Sequence, residues 1–542
     1  MSRLHLHRTT VLLLSVATLA GCNFYLPGPS YSDVDVPQEQ LRQIETLELT
    51  EAEPDEPVPA EPNEPPAEMT LSLEQCRAMA LQNNLELQAS LINPTIAAER
   101  LSEAEAKFES TFIVDLSKSD AERQPINALS QISGTVSETR TAGLGVDVPL
   151  RTGGTVSFDV ADSRTSSNSE GALADPYFNS NASISITQPL LRNAGRWANM
   201  HSIRLASYAR QTSEAQTKLE VISVLAAIDR VYWRLYAARK ELEVRQQQYE
   251  LAQAQLEQAR RFVEAGERAQ VEIIRAEAGV AQQLEAIIVA ENNLRQRERE
   301  LKRVMNRESL GMQTPTVLVP MTEPDLARYD LNRSPLVRTA MDSRMELLEL
   351  ELQLLQDASS IDYARNQSLP LVTLSYSYGV AGAGATRGDS YDLLLDNAFN
   401  DARLGLQARI PLGNKAAESR VRQAVYQRRQ TLATRRNREA LVEQEVLNAA
   451  DAVETNWQRI LAARQNSILQ GRLYEAERRQ FELGARTSTD VLDAQTSFAN
   501  AQSSEINALA EYQISLVDLA YATGTILGSA HVQWEPVVPA AR

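Results

Sequence analysis

The sequence predicts a mainly α-helical chain that also carries membrane-competent β-strands, with one structural unit present twice. Three observations lead there. First, RFVEAGERAQVEIIRAEA (261–278) aligns without a gap on RQFELGARTSTDVLDAQT (479–496), so that Gly266 falls on Gly484, Arg268 on Arg486 and Glu272 on Asp490. Second, six short segments alternate apolar and polar residues with period two, beside much longer runs of helical character. Third, only 5% of the 542 residues are aromatic while Ala, Gln, Glu, Arg and Leu dominate, which is the balance of long helices.

The chain opens with Arg3 and Arg8, the apolar run VLLLSVATLA and small residues ending at Gly21-Cys22. Such a run is too short to span a bilayer and predicts a signal peptide over 1–21. Leu19-Ala20-Gly21-Cys22 resembles the bacterial lipoprotein box, which implies cleavage before Cys22 and lipid on its thiol. Asn23 follows, where an aspartate would resemble an inner-membrane retention signal. Residues 22–70 read as an extended acidic tether: positions 33–68 hold twelve Asp or Glu against Arg42 alone, and the segment is rich in proline. This tether accounts for most of the net charge of -17. An acidic chain without clustered basic residues has no nucleic-acid partner to offer. No later stretch is apolar enough for a transmembrane helix, so a membrane crossing requires a barrel.

The first unit, 71–306, starts on a capping-box pattern, Ser72-Leu73-Glu74-Gln75, and runs as a helix toward Phe108 with a kink expected at Pro94. Alternation then marks strands at Phe112-Val114-Leu116 and, before the next helix, at Ile184-Ile186. A further hairpin is expected from Leu144-Val146-Val148 and Val156-Phe158-Val160, joined at 149–154. Next comes a helix from about Asn193 to Ala265, whose stripe of Val221, Val224, Leu225, Ile228, Val231, Tyr232 and Leu235 demands neighbours. A shorter helix, 269–306, closes the unit. Residues 307–333, with three prolines, link it to the second unit, 334–524. Here a helix from Leu336 to Arg365, strands at Val372–Tyr378 and Leu404–Ala408, a long helix 414–483 and a helix 487–523 repeat the order. In each unit the two shorter helices together match the long one in length, so they should lie end to end beside it. The tail, 525–542, reads as a peripheral strand or an extension.

Little here supports an enzyme. His201 and His531 are the histidines beyond the signal peptide, Cys76 is the remaining cysteine, and no phosphate loop or nucleophile elbow is present. No cofactor and no metal are expected. The polar turn ELGARTSTDVLDAQ has a bland explanation: Gly484 suits a positive φ, Thr487 can cap a helix, and acids are favoured in a first turn.

The residues that carry a resemblance are Leu71-Ser72-Leu73-Glu74-Gln75, Arg333-Ser334-Pro335, the junctions Gln188-Pro189-Leu190 and Ile410-Pro411-Leu412, and above all Gly484-Ala485-Arg486-Thr487 with Asp490-Val491-Leu492-Asp493-Ala494. Over roughly 71–525 the chain resembles the TolC-like outer membrane efflux proteins. The resemblance implies a homotrimer whose strands close one β-barrel in the outer membrane and whose helices form a long α-barrel across the periplasm. It implies a passive exit duct of a tripartite efflux pump or a type I secretion system, served by a periplasmic adaptor protein and an inner-membrane transporter. The lipobox fits its lipoprotein branch, anchored in outer membrane lipid. By carry-over, Asp490 and Asp493 would ring a narrow periplasmic opening, attract cations and raise one another's pKa, while Arg486 links neighbouring helices. Glu272 occupies the matching position in the first unit and would pair with Arg486. The turns at Gly266, Gly484 and Thr487 would meet the adaptor. Phe481 stands where relatives carry a tyrosine latch, without its hydroxyl. A further departure is the hairpin near 141–161, giving six strands where the family has four; the residues leave open whether it joins the barrel. The rival reading is a periplasmic coiled-coil scaffold or adaptor lipoprotein that forms no channel.

Overall fold

A computed structural model describes residues 68–124, 135–169, 172 and 174–532. The signal peptide, Cys22, nearly all of the acidic tether and the last ten residues lie outside the described residues. In chain order, β1 (Glu68–Leu71) leads into α1 (Leu73–Asn83). The expected capping box forms there, with Ser72 Oγ accepting from the Gln75 N–H and Gln75 Oε1 accepting from the Ser72 N–H. The helix then stops at Asn84, in extended conformation at φ −64 and ψ 123, and resumes as α2 (Leu85–Ala106). The break at Asn84 was not among the sequence expectations; Pro94, where a kink is expected, is buried inside α2. Asn84 suits the break because it serves both sides. Its own N–H closes α1 on Ala80 O, its Oδ1 caps the Leu87 N–H at 2.9 Å, and its Nδ2 donates to Val304 O at 3.1 Å.

Next come β2 (Thr111–Glu122), β3 (Val136–Pro149), β4 (Thr155–Ser167) and β5 (Tyr177–Pro189), then a short α3 (Gly195–Asn199) and the 64-residue α4 (His201–Glu264). After α5 (Val271–Met305), β6 (Val317–Pro320) pairs in parallel with β1, a two-stranded ladder too short for periodicity to reveal. The second half repeats the order: α6 (Arg333–Ser343), α7 (Met345–Gln367), β7 (Leu371–Gly384), α8 (Arg387–Leu395), β8 (Phe399–Arg409), the 68-residue α9 (Lys415–Glu482) and α10 (Ser488–Ala522). The single helix expected at 336–365 is likewise two, parted at Arg344 (φ −73, ψ 124), the counterpart of Asn84. The tail forms no strand as far as residue 532. It turns into α11 (Ile526–Ser529), whose Ile526 is buried in the core.

Six strands make one antiparallel sheet in the order β2-β3-β4-β5-β7-β8. The departing hairpin is therefore part of the same sheet, seated between β2 and β5. Register makes one face apolar: Phe112, Val146, Phe158, Ile184, Tyr378 and Ala402 lie on one rung, and Val114, Leu144, Val160, Ala182 and Val380 on the next such rung. The other face carries Asp147, Ser157, Ser185, Ser377 and Arg403 along one rung. Phe112, Leu116, Leu404 and Leu406 are each about two-thirds exposed in the single chain.

At about 1.5 Å per residue, α4 and α9 are each roughly 100 Å long. As expected, α1, α2 and α5 lie along α4, and α6, α7 and α10 along α9; α4 also touches α7 and α10. The main core sits midway along α4, where Val221, Leu225, Ile228 and Tyr232 meet Leu71, Leu301, Met305 and Leu318. Tyr232 Oη donates to Leu71 O and accepts from the Thr322 N–H, tying the β1–β6 ladder to α4. No described helix is long and apolar enough to cross a membrane.

Candidate functional site at the helical turns

Both long helices end in the same way. Gly266 and Gly484 adopt φ of 76 and 83, which only glycine takes at no steric cost. In each turn two backbone N–H groups reach back. Gly266 and Glu267 donate to Val263 O and Phe262 O, and Gly484 and Ala485 donate to Phe481 O and Gln480 O. This is the Schellman pattern, and it satisfies carbonyls that a helix end otherwise leaves unpaired.

The helices that restart are capped differently. Thr487 forms a full capping box on α10. Its Oγ1 accepts from the Asp490 N–H at 3.4 Å, and Asp490 Oδ2 accepts from the Thr487 N–H at 2.9 Å and the Thr487 hydroxyl at 2.8 Å. These two donors, with Arg486 and Arg275 nearby, hold the Asp490 carboxyl below the usual carboxylate range. Within one chain the shift is thus opposite to that expected of a ring of carboxylates. Asp493 is exposed, one turn further along the same face, while Val491 and Ala494 turn inward. The N-terminus of α5 lacks such a side-chain cap at Gln270.

Glu272 does not pair with Arg486. It is buried, and its Oε2 accepts from the Ser488 N–H, at the start of α10, at 2.8 Å, while its Oε1 is held by Arg275 Nη1 at 2.8 Å. The carboxylate of one turn therefore neutralises the positive end of the other turn's helix. Its two oxygens are thus taken by the Ser488 N–H and by Arg275. Arg486 instead folds back on its own hairpin, with Nε 3.0 Å from Glu477 Oε2 and 3.1 Å from Gln480 Oε1.

Arg268 is a residue whose role the sequence reading missed, although the repeat alignment had already placed it on Arg486. Its Nη2 donates to Phe481 O at 2.9 Å and its guanidinium lies 5.1 Å from the Phe481 ring centroid. Phe481 is fully buried and meets Phe262 edge-on at 5.9 Å. Phe262 and Phe481 thus form an aromatic pair under an arginine. The geometry offers charge, hydrogen bonding and a seam between two hairpins. No cluster of metal-binding side chains occurs among the described residues.

Comparison with known proteins agrees with this architecture. The family model described as outer membrane efflux protein matches residues 155–307 and 336–525, more than half of the chain. The outer membrane protein TolC of Vibrio cholerae serotype O1 is 23% identical over 356 residues, covering 64% of this chain and 76% of that protein. That of Escherichia coli K12 is 23% identical over 350 residues, covering 64% and 69%. Among solved structures, the CmeC outer membrane channel of Campylobacter jejuni superposes with a TM-score of 0.63 at 18% identity, over 84% of this chain and 85% of that one. The outer membrane protein VceC of Vibrio cholerae gives 0.60 at 14%, over 83% and 96%. The fold, with its helices in doubled order and its membrane sheet, is the one those channels share. On the strength of the family match, this chain belongs to the outer membrane efflux protein family.

Proposed function

We propose that the protein is the passive outer membrane channel of a tripartite efflux pump or a type I secretion system, gated at the helical turns. The observation that carries this reading is the sheet. Its apolar face is uncovered except where α8 crosses its far end, its opposite face is polar, and the outer edges of its end strands β2 and β8 are unpaired among the described residues of the single chain. An open sheet edge in lipid is prohibitive, so the edges must pair between copies, and a homotrimer is the closed arrangement the family implies. The polar face then lines the duct, and the helices carry it into the periplasm, where an adaptor docks near Gly266, Gly484 and Thr487 and an inner-membrane transporter supplies the energy. Cys22 holds the chain to outer membrane lipid. No step of the reading requires bond chemistry.

At the turns, three copies of exposed Asp493 and half-exposed Asp490 would surround the entrance and favour cations. The link that holds each hairpin pair together is Glu272 to Ser488, with Arg268 on Phe481. Reconstituted protein in a planar bilayer tests the reading. A cation-preferring conductance is expected, blocked by trivalent cations and much less blocked in D490A/D493A. Well-inserted protein that never conducts would favour the periplasmic scaffold instead, and block unchanged by the substitutions would move those carboxylates off the axis. Loss of lipid labelling in C22A tests the anchor.

A further inference from the structure

On the apolar face of the sheet, the rungs change character toward the end far from the long helices. Leu116, Ala142 and Asp162 share one rung, and the next on that face is Lys118, Arg140, Arg164 and Phe178. Three cations on three successive strands are therefore direct cross-strand neighbours, about 5 Å apart. Like charges so placed destabilise a sheet unless something anionic meets them. Acids of the chain answer in part: Lys118 Nζ lies 2.9 Å from Asp120 Oδ2 and 3.7 Å from Glu138 Oε1, and Arg140 Nη2 lies 2.6 Å from Glu138 Oε1. These pairs are exposed and exchangeable. Arg164 is exposed and has no ion-pair partner among the described residues.

The helix α8 completes the arrangement. It rests on this same outward face: Ser390 accepts from the Ser180 N–H through its hydroxyl and donates to Gly382 O, and a side chain at Gly382 would collide with the Ser390 backbone oxygen. Arg387 pairs with Asp162 at 2.9 Å and lies 5.6 Å from the Phe178 ring centroid, beside the position that Arg164 faces across the strands. A fourth cation thus extends the row from the outer side.

We propose that Lys118, Arg140, Arg164 and Arg387 bind the phosphate groups of a phosphorylated glycolipid in the outer leaflet. The inference rests on the channel reading, which puts the apolar rungs in hydrocarbon and this row immediately beyond them, at headgroup depth. Charge complementarity selects the occupant. Guanidinium forks match phosphate oxygens, a zwitterionic headgroup offers no net charge, and the aliphatic stems of the same side chains stay on the apolar band. The arginines lie on lipid-facing rungs, away from the polar face that lines the duct, so cargo in transit does not meet them.

The test is retention of lipid A by detergent-purified protein, read by native mass spectrometry, with dephosphorylated lipid A as the second probe. The proteins compared are wild type, R164Q, which breaks no ion pair among the described residues, and K118Q/R140Q/R164Q. Retention should fall about threefold in the single variant and at least about tenfold in the triple, with no retention of the dephosphorylated lipid by any of them. Equal retention by wild type and variants, or equal retention of both lipids, overturns the proposal. Conductance of the same preparations separates the two readings: conducting protein without phosphate-dependent retention sinks this inference alone, whereas protein that neither inserts nor conducts removes the channel reading on which it rests.

Discussion

The smallest feature with a consequence is the carboxyl of Asp490, which has two possible masters. In an assembled channel its copies would repel one another and raise its pKa. Within the chain, the Thr487 N–H and hydroxyl at 2.9 and 2.8 Å lower it. Direct donors act at contact distance, and repulsion across an aqueous opening is screened, so the donors should win. A depressed folded value means that the cap is fully formed above the ordinary aspartate value and is lost only as pH falls through the lower folded one. Carbon-13 NMR of the labelled carboxyl should therefore show a midpoint below 3.8. In T487A the midpoint should move up toward the free value, and the first turn of α10 should lose about 1 kcal/mol of protection against amide exchange. A wild-type midpoint above the free value would hand control to the ring. Thr487, Gly484 and Asp490 speak through local rules, so their cap and turn were legible. The partner of Glu272 was not, because its hydrogen bond comes from Ser488, 216 positions away, and no periodicity encodes that.

Elements were legible where they are long. The six strands and both long helices follow from period and composition, and the doubled order from one gapless alignment. What escaped are the breaks within the shorter helices, since Asn84 and Arg344 share a place in the repeat without sharing a residue type. Each is held by different chemistry, an asparagine cap in one and an arginine bound to Glu346, Glu445 and Ala522 O in the other. The strongest tie of α1 to its long neighbour is also invisible to pattern: Arg77 grips Asp229 through two bonds of 2.7 Å, with the carboxylate buried. Burial pushes the Asp229 pKa up, and Arg77 opposes it. In R77M the carboxylate would remain buried without a partner, which should cost about 3–5 kcal/mol in urea unfolding, and R77M/D229L should recover much of the loss. Cys76 is a built-in reporter beside it. Its thiol, pushed up to about 12 by burial and by Asp229, should resist alkylation in wild type and react in R77M. Equal alkylation of the two would mean that the ion pair does not hold α1 in place.

At the scale of the molecule, the hairpin would match the widths of sheet and helices in the proposed trimer. In the proposed trimer each chain contributes two long helices and two lines of shorter ones, twelve helix widths in all, and at 8–10 Å between axes the ring measures roughly 100–120 Å around. Four strands per chain, each about 4.8 Å wide and tilted near 40°, would give a barrel of only about 75 Å. Six give about 110 Å, close to the helical ring. The β3–β4 hairpin therefore lets the wall pass from strands to helices without a marked constriction, and the tight turn at 150–154, where the Gly195 N–H donates to Thr152 O, fastens the hairpin to the start of the helices. Because β2 ends and β5 begins at the same far end of the sheet, residues 123–176 can be replaced by a short turn that leaves four antiparallel strands. That deletion should shrink the barrel to about two-thirds of its circumference while sparing the helices. The measurement is polymer exclusion from the outer side of a planar bilayer, because the helical turns, and not the barrel, limit entry from the other side. The largest polyethylene glycol that reduces conductance should fall by about a third in hydrodynamic radius if radius follows strand number. An unchanged cut-off in a variant that still conducts would mean that the hairpin stands outside the wall.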